Sequence, residues 1–327
     1  MNKTILAEGA TRFNADVSSL QLIGGFSNNV FECTRNDEKI ILKFYPSLEY
    51  QKDAIMAELD WIKFLFTSGV NVTEPLHSNN NQLLEVIQLE HEEECYVLAF
   101  EKAKGTFINT SDSGTWNKDI FYKLGQTLGR IHFLAKDYQP SDNIIKTYHW
   151  NMGVLFSKPI DYVSARVAGK WEIFINEINQ LPMDIEAYGM IHNDLHPKNF
   201  HLYNNDIILF DFGDCEHNWF VYDIAIVLYH AIQSLFEEES QKRKDFAVHF
   251  LKSFLQGYLE ENNLDTYWLT KLPFFLNYRQ LFSYIYFQRF LNEEQKNNKK
   301  LKQILNTMKE RIESDTPYIT LSYKDFT

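Results

Sequence analysis

A chain of 327 residues with 45% hydrophobic and 15% aromatic content can bury substantial cores, which excludes a disordered protein. A net charge of −12 without a basic patch excludes a nucleic-acid footprint, and no apolar run reaches membrane-spanning length. The three cysteines, Cys33, Cys95 and Cys215, are widely spaced without a C-x-x-C pair, which speaks for a reducing compartment and against a disulfide framework.

The N-terminal stretch MNKTILAEGATRF lacks the long apolar run of a signal peptide, so a cytoplasmic protein is expected. Residues 20–31, LQLIGGFSNNVF, predict a strand, a Gly-Gly-centred loop and a second strand through Val30, Phe31 and Cys33. Such a loop lets backbone N–H groups approach phosphates closely, and it serves equally well as a plain hairpin. The run from Lys39 to Tyr45 predicts a strand in which alternation would ordinarily turn Lys43 to solvent. From Ala54 to Leu65 the apolar residues recur at helical spacing, with Glu58 mid-helix and able to face inward. Tyr96 to Phe100 is an apolar strand running into Glu101-Lys102-Ala103-Lys104-Gly105.

Beyond that point the chain reads as largely helical. A helix over 121–133 carries Leu124, Leu128 and Ile131, with His132 near its end. Another begins at Tyr222 and runs through Leu228, with Asp223 at its start, where a carboxylate can cap free N–H groups. Residues 246–308 hold aromatics at helical spacing, among them Tyr278, Phe282, Tyr286 and Phe290, and most of these belong in a core. The lysine-dense stretch from Lys296 to Lys302 lies in a helical pattern that continues through Met308 and Glu310, and reads as a solvated face.

The most informative block is 191–214, IHNDLHPKNFHLYNNDIILFDFGD. Asn199 to Tyr203 predicts a short strand and Asp206 to Phe210 its partner. Asn204-Asn205 makes the two-residue turn, because asparagine tolerates positive φ. The hairpin would bring Asn199 and Asp211 to one end, where a single ion could bridge them. Singly, Asp194 and Asn199 read as turn formers, His192 as a hydrogen-bonded structural residue and His201 as a strand residue, while His196 is a candidate phosphate contact. Asp211 directly follows Ile-Ile-Leu-Phe, and a charge at the end of a buried strand usually has a partner. Ordered and spaced in this way, the set has the layout of a phosphoryl-transfer site: one carboxylate beside the attacking hydroxyl, an amide and a second carboxylate for magnesium.

This block resembles the catalytic segment of the aminoglycoside phosphotransferase and choline kinase family, distant relatives of the protein kinases. The family pattern H-x-D-x-x-x-x-N, followed after a hairpin by aspartate, stands here as His192-Asn193-Asp194-Leu195-His196-Pro197-Lys198-Asn199 and then Asp211-Phe212-Gly213. Asn193 occupies the place where eukaryotic protein kinases carry arginine. The resemblance implies Asp194 as base, His192 as a brace for the loop, and Asn199 and Asp211 as Mg2+ ligands. It extends to a nucleotide loop, where G-x-S-N is matched by Gly25-Phe26-Ser27-Asn28. It further implies that Lys43 holds the α- and β-phosphates of ATP with Glu58 as partner, Asp60 and Glu49 remaining alternatives. Backbone groups from Glu101 to Ala103 would pair with adenine. His132 would be a buried structural residue, and Asp223 would steady the catalytic loop. Many relatives place a second acidic residue at the position of Gly213, a carboxylate that Asp214 could supply.

The fold implied is α+β and bilobal, protein-kinase-like, with a small β-rich N-terminal nucleotide-binding lobe (1–100) and a larger, mainly helical catalytic and acceptor-binding lobe (101–327). In this family the acceptor pocket is built from C-terminal helices and the segment after the metal aspartate. Asp214, Glu216, Trp219, Tyr222, Arg279 and Tyr286 are the candidates for it, each with a core or surface role as the plainer reading. Aromatic and acidic residues together could cage an ammonium group, and the acidic chain favours a cationic small-molecule hydroxyl acceptor, with neither nucleic acid nor membrane as partner. Three alternatives stay open: a protein serine or threonine as acceptor, an aminoglycoside as acceptor, and a kinase fold kept as a non-catalytic binding or coat module. The presence of Lys43, Asp194, Asn199 and Asp211 together speaks against the last.

Overall fold

The computed structural model describes residues 2–25, 27–89, 93–142, 144, 147–233, 235 and 240–327, so Phe26 of the G-x-S-N stretch lies outside them. The chain divides into two compact units: Met1–Phe107 with Tyr138–Thr147 and Lys198–Gly213, and Ile108–Asp137 with Tyr148–Pro197 and Asp214–Thr327.

The first unit opens with helix α1 (Lys3–Arg12) and is built on an antiparallel sheet of β1 (Asp16–Gly24), β2 (Val30–Arg35), β3 (Glu38–Pro46), β4 (Pro75–Leu76), β5 (Leu84–Gln88) and β6 (Glu94–Glu101). The order is β1-β2-β3-β6-β4, with β5 also on β6. Helix α2 (Lys52–Thr67) follows β3. Alternation along β3 sends Ile40, Leu42 and Phe44 into a core with Phe13 and Val97. Each fully buried side chain of that size contributes about 1.5–3 kcal/mol.

The unit recruits two later segments. Tyr138 packs edge-on against Trp61, with centroids 4.7 Å apart, and its hydroxyl donates to Asp60 at 2.7 Å. The predicted hairpin closes against Asn71 and Thr73, through Leu209 N–H to Asn71 O (2.8 Å) and Thr73 N–H to Leu209 O (3.0 Å). Its strands pair Phe200 with Leu209 and Tyr203 with Asp206. Asn204 and Asn205 both take positive φ, 48° and 68°, the turn geometry that matches strand twist.

The second unit is mainly helical. It comprises α3 (Lys118–Ala135), α4 (Ala165–Ile178), the strand β7 (Tyr188–Ile191), then α5 (Phe220–Gln233), α6 (Ser240–Glu261), α7 (Thr266–Thr270), α8 (Leu272–Phe290), α9 (Glu293–Asn297), α10 (Lys299–Glu313) and α11 (Tyr323–Phe326). Counted in chain order, the recruited hairpin strands are β8 (Phe200–Tyr203) and β9 (Asp206–Leu209), and β10 (Glu216–Trp219) pairs antiparallel with β7. Helices α3 and α6 approach closely because Gly125 and Gly257 have no side chain: a Cβ on Gly125 would strike Phe254 O, and one on Gly257 would strike Tyr122 O. The late helical pattern is interrupted at Asn298, whose side chain accepts from the N–H groups of Lys300 and Leu301 and so starts α10 afresh. Among the described residues, no helix is long and apolar enough to cross a membrane.

Candidate active site

Alternation that buries Ile40, Leu42 and Phe44 turns Ile41 and Lys43 to the other face of β3, where they line a cavity of about 430 Å3 and not bulk solvent. Its apolar wall includes Ile23, Val30, Phe100, Phe107 and Phe210; Gly24 and Gly25 border it, as do Glu101, Lys102 and Ala103 at the end of β6. This volume suits a nucleotide-sized ligand. Gly25 has φ +89°, a conformation in which a side chain would also strike Asn29. Ser27 and Asn28 are exposed and outside the lining, and Ser27 donates to Glu49 at 3.2 Å.

Lys43 is 7% exposed and needs compensation for its buried ammonium. Its Nζ donates to Asp211 Oδ1 at 2.7 Å and lies 4.0 Å from Glu58 Oε1. Of the three possible carboxylates on or near α2, only Glu58 takes this place: Asp60 is bound to Tyr138, and Glu49 to Ser27. Burial pushes the Glu58 carboxyl up to about 7, with Lys43 opposing and Asp211 adding to the rise. Burial works against the Lys43 ammonium too, but attraction to Asp211 and Glu58 outweighs it and holds its pKa well above the ordinary value.

Asn199 and Asp211 flank the open end of the hairpin, where Phe210 N–H donates to Asn199 O at 3.1 Å. Asp211 adopts φ +67°, a strained backbone for a residue other than glycine or asparagine. One amide oxygen and one carboxylate form a hard donor set that fits Mg2+, an ion that keeps phosphate and water ligands as well. His201 lies on β8, its Nδ1 3.1 Å from Ala103 O and its ring edge-on to Phe107. Glu101 N–H is already given to Glu74 O, so it is not a free donor for a base.

In the second unit, pairing of β7 with β10 sets Ile191 beside Glu216 and delivers the chain into His192-Asn193-Asp194. Asp223 steadies the catalytic loop, as the resemblance implies, and not the start of its own helix. Its carboxylate accepts from the backbone N–H groups of His192 (2.9 Å) and Asn193 (3.0 Å), because the loop leaves those donors without a strand partner. Asn193 takes φ +67°, and its side chain donates to Asp214 O. A buried chain stands behind Asp223. His132 Nε2 lies 3.1 Å from Asp223 Oδ2, His132 Nδ1 is 2.8 Å from the Tyr258 hydroxyl, and Asn262 donates to that hydroxyl. Burial lowers the His132 pKa against the pull of Asp223, so the neutral ring donates to Asp223 and accepts from Tyr258.

Asp194 is surrounded by nitrogen: Arg279 Nη2 lies 3.1 Å from Oδ1, His196 Nε2 3.3 Å from Oδ2 and His230 Nε2 3.5 Å from Oδ1. Burial would raise its pKa, but the hydrogen bond from His196 and the charge of Arg279 hold it well below the usual carboxylate range. His192, wholly buried, accepts from Asp194 N–H at 3.4 Å, the brace expected of it.

The acceptor candidates separate. Trp219 is fully buried and its indole donates to Pro182 O, so it offers no surface to a ligand and belongs to the core. Tyr222 is also buried and bonds the Arg279 guanidinium; burial pushes its phenol up to about 12. Glu216 accepts from Asn218 at 2.9 Å, and burial, with Asp214 nearby, pushes its carboxyl up to about 8. Asp214 is exposed. Tyr286 is half-buried between Phe282 and Phe290 on α8. His230 was not anticipated from the sequence. It stands seven residues after Asp223, two turns along the same helix face, as a polar interruption of an otherwise apolar α5.

A strand lysine paired with a helix glutamate, an Asp-x4-Asn loop and a hairpin aspartate define a protein-kinase-like fold, and the enzymes built this way are phosphotransferases. This chain belongs to the phosphotransferase enzyme family, whose sequence pattern matches residues 19–267. It is 30% identical to an amicoumacin kinase of Bacillus subtilis (strain 168) over 329 residues, covering 98% of this chain and 94% of that one. The solved structure of amicoumacin kinase hAmiN in complex with AMP-PNP, Ca2+ and Ami is similar throughout, with TM-score 0.89, 26% identity and coverage of 100% and 97%. A microcompartment-associated aminopropanol kinase shares the fold at TM-score 0.76 and 17% identity, with coverage of 98% and 100%. The protein is therefore a phosphotransferase that acts on a hydroxyl group.

Proposed function

We propose that this chain transfers the γ-phosphoryl group of ATP, with Mg2+, to a hydroxyl of a small molecule, and that amicoumacin or an amine-bearing alcohol of comparable chemistry is the acceptor. The observation that carries this reading is the Lys43, Glu58 and Asp211 set on the wall of one nucleotide-sized cavity. Similarity to amicoumacin kinase along nearly the whole chain supports the acceptor class. The exposed acidic group of Asp214, in the same unit as Asp194, supports a cationic one. The domain reading stays with it: residues 1–100 for the nucleotide and 101–327 for catalysis and acceptor. A cytoplasmic setting is supported by the buried thiols Cys33 and Cys95.

In this mechanism Lys43 turns from Asp211 to the α- and β-phosphates, and Glu58 keeps its ammonium aimed into the cavity. Backbone groups between Glu101 and Ala103 receive the base, and the Gly25 loop covers the phosphates. Asn199 and Asp211 would hold the metal, which would neutralise phosphate charge. Asp194 accepts a hydrogen bond from the acceptor hydroxyl and orients its oxygen toward the γ-phosphorus. The new O–P bond forms as the bond to the ADP oxygen breaks. In a loose transition state the hydroxyl proton leaves late, so a carboxylate kept ionised serves as an orienting group and final proton acceptor.

The test is a thermal melt with ATP and Mg2+ separately and together, followed by incubation with amicoumacin and a panel of amino alcohols. A magnesium-dependent rise in melting temperature and one added phosphoryl group on an acceptor, seen by mass spectrometry, are expected. No shift at millimolar nucleotide would sink the reading; label on a protein serine or threonine would redirect it.

A further inference from the structure

We infer that Arg279 and His230 are positioning residues for Asp194, Arg279 clamping its carboxylate from α8 and His230 holding Arg279 from α5, and that Arg279 is not an acceptor contact. The inference rests on the assignment of Asp194 as the residue that meets the acceptor hydroxyl.

One set of protons accounts for the Gln233, His230 and Arg279 contacts. His230 Nδ1 lies 3.1 Å from Gln233 Oε1, an oxygen that can only accept, so Nδ1 carries the hydrogen. Burial lowers the His230 pKa, so the ring is neutral and Nε2 is left as an acceptor. Arg279 Nη2 lies 3.2 Å from that Nε2 and 3.1 Å from Asp194 Oδ1. One nitrogen thus uses its two hydrogens on two different acceptors, and their directions set the plane of the guanidinium. Tyr222 bonds the same guanidinium. Arg279's side chain is 11% exposed, so little of it remains to meet an acceptor molecule.

Helix α5 then fixes three consecutive residues. Asp223 binds the N–H groups of His192 and Asn193, and His230, on the same face two turns later, orients the arginine that holds the Asp194 side chain. A misplacement of about 1 Å at a reacting group lowers rates by about 100-fold, so such a clamp belongs to the rate of the chemical step more than to binding. His196 Nε2 lies 3.3 Å from Oδ2, and it comes from the catalytic loop itself.

The experiment has two arms. With ATP, Mg2+ and amicoumacin, Arg279→Met is expected to lower kcat by about 100-fold and leave KM for ATP within about threefold, and Arg279→Lys to recover about tenfold of the loss. His230→Gln, which keeps an acceptor but shifts it, is expected to lower kcat by about tenfold. A raised acceptor KM at unchanged kcat would make Arg279 an acceptor contact and overturn the inference. The second arm needs no turnover. Melting temperatures of wild type, Asp194→Asn, Arg279→Met and the double variant form a cycle, and Arg279→Met is expected to lower the melting temperature less in the Asp194→Asn background. Equal shifts in both backgrounds would overturn the inference even if wild type leaves amicoumacin untouched, a result that would count against the proposed acceptor alone. Should Arg279→Met fail to fold, Arg279→Lys and His230→Gln carry both arms.

Discussion

The two charged clusters handle a buried charge in opposite ways. In the first unit, Lys43 is one cation between two carboxylates, Glu58 and Asp211, and burial pushes the Glu58 carboxyl up to about 7. In the second, Asp194 has Arg279, His196 and His230 around it and is held ionised well below the usual range. The first arrangement is short of positive charge, a shortfall that suits a site completed by a metal ion with its phosphates. The second is complete without any ligand, as suits a group whose direction matters more than its basicity.

The largest expected effect lies in the second cluster. Asp194→Ala should lower phosphoryl transfer by about 1,000-fold or more, with the Mg-ATP-dependent melting shift retained. Turnover like that of wild type would remove the orienting role. Lys43→Met attacks the other cluster: turnover should fall by about 100-fold, and here the ATP-dependent melting shift should shrink as well. If both variants kept the shift, the contrast between the clusters would fail.

A third substitution tests the scaffold behind Asp194. Gly125→Ala sets a methyl against Phe254 O, where only backbone can yield, and should destabilise the helical unit by about 3 kcal/mol, read by denaturant unfolding. Since α3 also carries His132 to Asp223, turnover should suffer more than nucleotide binding.

The smallest effect is one of pH. Glu58 keeps a proton in the folded chain up to about 7, against an ordinary value of 4.5. The folded state therefore binds more protons than the unfolded state between those values, and this contribution to stability is full below about 4.5 and is lost as pH rises through about 7. Glu58→Gln should thus gain on wild type in melting temperature between pH 5 and 8. A difference that stays constant with pH would show the carboxyl to be ordinary.

The linear pattern carried much of this. Alternation over Lys39–Tyr45, the Asn204-Asn205 turn and the order of His192, Asp194, Asn199 and Asp211 are local features, and strand period, turn chemistry and motif spacing are properties of neighbouring residues. Glu58 was named from its mid-helix position, but the exclusion of Asp60 and Glu49 was not legible, because it depends on Tyr138 and Ser27 occupying those rivals. Position alone makes Asp223 a cap; the resemblance implied that it steadies the loop, but not that it does so by accepting from two N–H groups 30 and 31 residues away.

The sequence by itself therefore determined the class of fold, the hairpin and the identity of the charged residues, because each is written in spacings of a few residues. Only the tertiary structure decided who pairs with whom. It gathered Lys198–Gly213 with the N-terminal sheet, buried Trp219, and turned Arg279 and His230, 85 and 36 residues beyond Asp194, onto one carboxylate oxygen. Those outcomes depend on which faces of distant elements pack together, and no local pattern encodes that.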